Sequence, residues 1–152
     1  MNFQEEYSNI TDSEEFKELE KEFPEIFLSS IFLDTTGWQF NFYYTHKLIT
    51  FVLENGIIKT EESEVSEKDK EFEELNIKEI KIELEQVKEL TEKLTEEEIT
   101  KKIIILQQKQ VPFWNLTYIT SSLNVLNIKI NAISGEIMEQ TTENIMKFKG
   151  AQ

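Results

Sequence analysis

The 152-residue chain contains no cysteine and no arginine, and it has a single histidine, His46. Without cysteine it can form no disulfide, no thiol nucleophile and no zinc thiolate site. Without arginine it lacks the side chain best suited to bidentate binding of phosphate or carboxylate groups. His46 stands in a predicted tight turn with no motif around it, so we expect neither a histidine metal site nor a Ser-His-Asp relay.

Glycine and long apolar runs are also scarce. The four glycines stand singly, which excludes a glycine-rich phosphate loop. No apolar run approaches the roughly 18 residues that would span a bilayer. The first fifteen residues, MNFQEEYSNITDSEE, have neither the basic region nor the apolar region of a signal peptide. As it stands, the sequence predicts no membrane insertion and a cytoplasmic location, unless a preceding signal or anchor has been removed.

The charge is strongly acidic, because 16 lysines stand against 30 acidic residues and give a net charge of −14. Binding to nucleic acid or to an anionic membrane requires a basic patch, so this balance argues against both. Residues 1–75 carry 19 acids and 6 lysines, residues 76–152 carry 11 and 10, and no acid lies between Glu98 and Glu136. This distribution fits solvated helices over a nearly uncharged sheet; an acidic surface for a basic partner is the alternative.

In the first half, the pattern predicts one helix followed by four strands. Residues 1–10 are interpreted as a loosely held polar leader. The helix is expected to begin at an N-cap, Thr11 or Asp12, and to carry an apolar stripe formed by Phe16, Leu19 and Phe23. Strands are predicted over residues 25–33, 38–45, 48–53 and 57–60, and the second alternates between aromatic and polar residues as a half-buried strand does. Residues 61–75, of which ten are charged, are predicted to form a linker.

The second half repeats this order less regularly. Residues 77–84 alternate in part and lead into a helix with the same apolar spacing at Val87, Leu90 and Leu94. Strands are predicted over residues 103–108, 113–120, 123–132 and 136–140. Residues 141–152 form a C-terminal tail without a clear assignment.

Aligning Trp38 with Trp114 brings the two halves into register. An apolar strand precedes each tryptophan, and a glycine turn follows each of them, at Gly56 and Gly135. The chain is therefore predicted to be α+β, with two α-β-β-β-β units packed together because neither unit alone would have a generous core. The predicted domains are residues 1–60 with the leader, and residues 76–140 after the linker.

The second half resembles the PepSY domain. The sequence PFWNLT at residues 112–117, followed by LNIKINAISGEI at residues 126–137, is similar to that family's aromatic strand and to its strand ending in Asp-Ala-x-(Thr/Ser)-Gly. Asn131 stands where the family usually has aspartate, and residues 1–60 resemble a more divergent copy. The resemblance implies a cystatin-like unit with a helix against an antiparallel sheet, and an inhibitory or regulatory role toward peptidases.

The motif residues are interpreted mainly as structural: Trp38, Gly56, Pro112, Trp114, Asn131 and Gly135. Gly135 supplies a positive φ in a hairpin, Asn131 bonds the turn backbone, and Trp114 fills the interface between helix and sheet.

A candidate binding surface consists of Tyr43, Tyr44, Asn115 and Tyr118, on strands whose polar faces could contact a protein or peptide. No catalytic residue, metal site or cofactor is expected. The predicted function is a non-catalytic protein-binding or regulatory module whose partner is a peptidase or an envelope protein. The alternative is a small-ligand carrier with a pocket between helix and sheet. The sequence does not define an oligomeric state.

Overall fold

The computed structural model describes residues 2–34, 37–65 and 72–146. Its helices are α1 (Phe3–Thr11), α2 (Glu14–Glu22) and α3 (Leu84–Glu92), with a 3-10 turn at Ile77–Glu79. Its strands are β1 (Phe27–Asp34), β2 (Gly37–Tyr44), β3 (Lys47–Glu54), β4 (Ile57–Glu64), β5 (Ile99–Lys109), β6 (Val111–Thr120), β7 (Asn124–Asn131) and β8 (Ile137–Asn144).

The strands form one eight-stranded antiparallel sheet in the order β4-β3-β2-β1-β5-β6-β7-β8. The prediction of an α+β fold with an antiparallel sheet is confirmed, but the predicted arrangement of two packed, cystatin-like helix-plus-sheet units is wrong. The sequence left open whether the two predicted units share one sheet, and their strands stand in a single sheet order.

The backbone contacts divide the chain into two compact units. The first unit comprises Met1–Ile77 with Gln108–Gln110, and the second comprises Lys78–Gln107 with Val111–Gln152. The first unit holds α1, α2 and β1 to β4, and the second holds α3 and most of β5 to β8. The first unit therefore has two helices where the sequence predicted one.

The additional helix is α1, and it replaces the loosely held leader that the sequence predicted. The Asn2 side chain caps it by accepting the Glu5 N–H at 2.9 Å, and Phe3 and Ile10 on one side of the helix are buried. The next helix begins one to two residues later than predicted, because Ser13 is its N-cap and its hydroxyl accepts the Phe16 N–H at 3.2 Å. The leader is thus part of the first unit's core.

The core of the first unit is an aromatic cluster on one face of β2. The predicted alternation of this strand is confirmed, since its residues alternate between half-buried and buried along its whole length. The Phe16 ring of α2 lies 4.9 Å from that of Phe42 and 5.8 Å from that of Phe51 on β3, and Phe3 of α1 packs edge-on against Trp38 at 5.5 Å. Both helices therefore cover the same face of the strand.

The predicted charged linker at residues 61–75 begins inside a strand. β4 continues to Glu64, four residues beyond the predicted strand end, and pairs with β3 from Lys47 opposite Glu64 to Glu54 opposite Ile57. Acidic side chains are tolerated there because β4 is the last strand in the sheet order and its side chains are mostly exposed. Residues 66–71 of the predicted linker lie outside the described residues.

The second unit places α3 against β6, but with a different helix face from the predicted stripe. Val87 and Thr91 are fully buried, whereas Leu90 and Leu94 are 37% and 36% exposed. The Thr91 hydroxyl bonds the Val87 carbonyl at 2.8 Å and the Tyr118 hydroxyl at 2.6 Å, so a polar contact fixes which side of the helix faces the sheet. Residues 77–84, whose partial alternation precedes the predicted helix, form a 3-10 turn and the start of α3.

Several tight turns place residues other than glycine at positive φ. Thr45 and His46 join β2 to β3 at φ 45° and 64°, and Leu123 precedes β7 at φ 64°. Two consecutive positive-φ residues match the twist of a two-residue hairpin, for which asparagine and glycine are the preferred residues. Asn55 and Gly56, which join β3 to β4, follow that preference at φ 53° and 79°.

We predict that Trp114→Ala lowers the free energy of unfolding by about 3–5 kcal/mol, because the ring is fully buried and its indole N–H donates to the Ile82 carbonyl at 2.9 Å. Urea unfolding followed by circular dichroism measures this change. Ile137→Ala, at a side chain that is 48% exposed, serves as the control and should cost below about 1 kcal/mol. A loss below about 1 kcal/mol for Trp114→Ala would contradict the packing described here.

Candidate binding site

Among residues 2–34, 37–65 and 72–146, no group of three or more histidine or acidic side chains could hold a metal ion. His46 lies in the turn between β2 and β3, where its Nδ1 atom is 3.4 Å from the Tyr43 hydroxyl. The remaining candidates for a site are the exposed strand faces and the clefts, which could bind a partner or a ligand.

The motif residues of the second unit form the turn between β7 and β8 and its support. The Asn131 carboxamide oxygen accepts the N–H groups of Ile133 and Ser134 at 2.8 and 3.1 Å, as a side chain that caps a turn does. Gly135 has φ 82°, and a Cβ atom there would lie 3.3 Å from the Ile82 side chain. The N–H groups of Lys81 and Ile82 both donate to the Ala132 carbonyl at 2.9 Å and hold the turn against the segment that precedes α3.

The remaining motif residues also lie in the framework of their own units. Trp38 is 9% exposed and packs on Phe3, and Gly56 occupies the turn between β3 and β4. Pro112 is buried on β6, and its carbonyl accepts the Ala132 N–H at 2.9 Å. None of these three residues presents a substantial side chain to a ligand.

The structure does not bring the four candidate surface residues together. Tyr44 and Tyr118 are 3% and 0% exposed on the faces that the helices cover, so they cannot contribute to a binding surface. Their hydroxyls bond the Glu62 carboxylate and the Thr91 hydroxyl, respectively. Burial, together with the hydrogen bond to Glu62, raises the pKa of Tyr44 to about 12. A tyrosine can be buried when its hydroxyl finds a partner, and the sequence pattern did not reveal these partners.

Tyr43 and Asn115 lie on strand faces that point away from the helices, each in its own unit. The Tyr43 ring is half-buried between the rings of Phe27 at 5.6 Å and Phe72 at 5.2 Å. Asn115 donates to the Gln107 side chain at 3.0 Å, and its oxygen accepts from Asn127 at 2.7 Å. Polar side chains thus form a cross-strand ladder on that face of the second unit.

On the corresponding face of the first unit, the six central residues of β2 and β3 are uncharged, and the charged Glu54 stands at the exposed end of β3. The register pairs Gln39 with Val52, Asn41 with Thr50, and Tyr43 with Leu48, so all six side chains share one side of the sheet. We call this set the uncharged face: Gln39, Asn41, Tyr43, Leu48, Thr50 and Val52. Each of these residues is half-buried. The set stands out in a chain of which 30% of residues are charged.

Hydrogen bonds hold the centre of the uncharged face in place. The Asn41 amide nitrogen donates to the Ser30 hydroxyl on β1 at 3.0 Å, and its oxygen accepts from the Thr50 hydroxyl on β3 at 2.6 Å. One asparagine therefore links three strands, and its side chain has little freedom left to lose when a partner binds.

The first unit also contains a cleft between its helices and its sheet, with a volume of about 340 Å³. Asp12, Glu20 and Glu74 contribute carboxylates to its lining, and Tyr7 and Phe16 contribute aromatic rings. Burial raises the pKa of Tyr7, and the charges of Glu74 and Glu20 raise it further. No local pattern indicates this cleft, because its carboxylates come from three separate segments.

A third polar cluster surrounds Glu97 in the second unit. Its carboxylate accepts hydrogen bonds from the hydroxyls of Ser122 and Thr120 and from the Asn124 amide at 2.6 Å. The bond from Ser122, followed by that from Asn124, holds the pKa of Glu97 below its ordinary value of 4.5. The cluster fixes the turn between β6 and β7, which we interpret as a structural role.

Comparison with known proteins identifies a fold but no family. No protein-family model matches the chain, and no curated protein matches it. The crystal structure of a "putative lipoprotein" from Clostridium difficile 630 is similar, with a TM-score of 0.60 and 12% sequence identity over 85% of this chain and 90% of that chain. At this identity the similarity shows the fold alone, and the PepSY resemblance stays a prediction.

Within residues 2–34, 37–65 and 72–146, no helix has both the length and the apolar character needed to cross a membrane.

We predict that Glu97→Gln destabilises the protein at pH 7 and loses this effect as the pH falls. A carboxyl group whose pKa is lower in the folded state stabilises that state above its unfolded pKa, and the stabilisation disappears when the group becomes protonated. Urea midpoints of wild type and variant should therefore differ most at pH 7 and converge toward pH 3. Ser122→Ala removes one hydrogen bond to the Glu97 carboxylate, so its urea midpoint should also differ from that of wild type more at pH 7 than at pH 3, by a smaller amount. A constant difference across this range would contradict the assignment.

Proposed function

We propose that this chain is a non-catalytic module that binds a protein partner through the uncharged face of its first unit. The composition of that face is the observation that carries the proposal. Charged residues are depleted at the cores of protein interfaces, where aromatic and apolar side chains are enriched. Tyr43, Leu48 and Val52 supply such side chains, and Phe27 extends the aromatic part onto β1.

The polar members of the uncharged face favour a specific contact over unspecific adhesion. Asn41 is already bonded to Ser30 and Thr50, so a partner meets a fixed array of amide and hydroxyl groups. Preorganised groups reduce the entropy lost on binding. A partner that leaves these groups without hydrogen bonds would be disfavoured.

Regulation of a peptidase is the specific form of this proposal that the PepSY resemblance implies. The name of the Clostridium difficile protein, which includes the word lipoprotein, directs the search first to proteins of the cell envelope. We therefore propose an envelope peptidase or another envelope protein as the partner, and a cytoplasmic peptidase as the alternative to be tested beside it.

Leu48→Glu tests the proposal by placing a charge on the uncharged face, opposite Tyr43 on β2 and Ser63 on β4. Its control is Thr60→Glu, which adds the same charge at an exposed residue of β4 whose cross-strand neighbour, Phe51, belongs to the helix-covered core. Burying an unpaired carboxylate at an interface is costly, so we expect Leu48→Glu to weaken partner binding at least tenfold and Thr60→Glu to leave it within about twofold. Circular dichroism and thermal unfolding verify that both variants fold.

The measurement has two parts. Cross-linking and affinity capture from envelope and cytoplasmic fractions of the source organism identify proteins retained by wild type, and titration of the purified partner gives its affinity for each variant. A peptidase panel with and without the chain then tests regulation. Equal binding by both variants would exclude the uncharged face, and the absence of any specific partner in either fraction would contradict the function.

A further inference from the structure

We propose that the cleft between α1, α2 and the sheet in the first unit is a binding site for a flexible organic amine, which it recognises through the ammonium groups. This site is separate from the uncharged face, so the inference does not depend on the function proposed above. The cleft has a volume of about 340 Å³, which falls in the range of small-molecule sites.

The charge of the lining sets the class of ligand. Asp12 at the end of α1, Glu20 on α2 and Glu74 before the 3-10 turn are exposed residues that line the cleft, and no lysine among the described residues lines it. Among the described residues, no ion pair joins a lysine to any of these three carboxylates. Residues 1–75 carry 19 acids against 6 lysines, so the surrounding field also attracts cations.

The spacing of the carboxylates favours an extended cation over a metal ion. In the described parts of the chain, no three acidic or histidine side chains converge closely enough to hold a metal. A metal ion needs several oxygen ligands at 2.0–2.6 Å from one point. A chain with two or more ammonium groups can instead reach separate carboxylates and donate charge-assisted hydrogen bonds to each of them.

Aromatic rings lie beside the carboxylates. Tyr7 stacks on Phe42 with ring centroids 6.2 Å apart, and Phe16 lies 4.9 Å from Phe42. Phe16 and Phe42 are 5% and 1% exposed, so the half-buried Tyr7 is the ring against which methylene groups between the ammonium groups can lie, and an ammonium group near its face gains a cation–π attraction. Lysine side chains and polyamines combine ammonium groups with methylene chains in this way.

The Tyr7 hydroxyl adds a neutral polar group to the cleft. Burial raises the pKa of Tyr7, and the nearby charges of Glu74 and Glu20 raise it further, so the phenol keeps its proton at neutral pH. A protonated phenol can accept a hydrogen bond from an ammonium group and donate its own to a carboxylate. Glu20 and Glu74, whose charges raise the pKa of Tyr7, are the two residues replaced in the variant that tests the site.

The ammonium groups could belong to a free polyamine or to lysine side chains of a protein. Both sources share the chemistry inferred here, and the experiment separates them with two probes. Spermidine represents the free amine, and a dilysine peptide with blocked ends represents the protein side chains. Magnesium chloride at matched ionic strength measures the response to charge alone.

The test compares wild type with two double variants that remove the same total charge. Glu20→Gln/Glu74→Gln changes the cleft, and Glu18→Gln/Glu61→Gln changes exposed residues outside its lining. Binding is measured at about 0.15 M salt, where unspecific attraction is screened, by titration calorimetry and by amide NMR shifts. We expect one-to-one binding of at least one amine probe, with shifts concentrated at Thr11, Asp12 and Ile26.

The cleft variant should bind that probe at least about tenfold more weakly than wild type, and the control variant should stay within about twofold. Binding of spermidine alone would assign the site to a free amine, and binding of the peptide alone would assign it to a protein side chain. Equal weakening in both double variants, equal shifts with magnesium, or no binding of either amine probe would overturn the inference. Unfolding curves of both variants show whether a loss of binding reflects a loss of folding.

Discussion

Each unit depends on the burial of one side of its strands under short helices. In the first unit, the aromatic side chains of every second residue of β2 lie under α1 and α2, and in the second unit Trp114 and Tyr118 of β6 lie on the side that α3 covers. Helices of nine residues are marginal by themselves in water, so this contact stabilises helices and sheet together. The two-residue period of the strands then directs all other side chains to the opposite face.

That division also separates the two surfaces to which we assign binding. The uncharged face consists of the alternate residues of β2 and β3 whose side chains point away from the helices. The cleft lies on the helix-covered side, where two helices with acidic sequences approach an aromatic sheet surface and leave space between them. A protein surface and a small-ligand site can therefore occur in one unit, with Phe27 next to both.

Local patterns predicted those features that short stretches of sequence determine. The alternation of aromatic and polar residues along β2 predicts a strand, because a strand has a period of two residues. The positions of two turns follow from Gly56 and Gly135. Helix α1 could not be seen, because its sequence FQEEYSNIT is mostly polar and its burial depends on distant aromatic rings. The pairing that makes one sheet has no local signal either, because any open strand edge can accept another strand.

The candidate site was harder to predict for the same reason. Tyr44 and Tyr118 look like surface residues until Glu62 and Thr91, 18 and 27 residues away in the chain, provide partners for their hydroxyls. On α3, the stripe of Val87, Leu90 and Leu94 fits the helical period. The side of the helix that faces the sheet is nevertheless the one with Val87 and Thr91, where the Thr91 hydroxyl bonds the Tyr118 hydroxyl. Periodicity shows that a helix has two sides, whereas only tertiary contacts show which side is buried.

The tight turns leave room for engineering a more stable protein. Thr45 and Leu123 adopt a positive φ that costs a β-branched or bulky side chain energy, although glycine or asparagine would adopt it readily. Natural proteins seldom reach their highest attainable stability, because selection removes only variants that fall below the level needed for function. The chain has four glycines, and Thr45 and Leu123 are exposed. Glycine at these two positions is therefore expected to raise the free energy of unfolding without changing either binding surface.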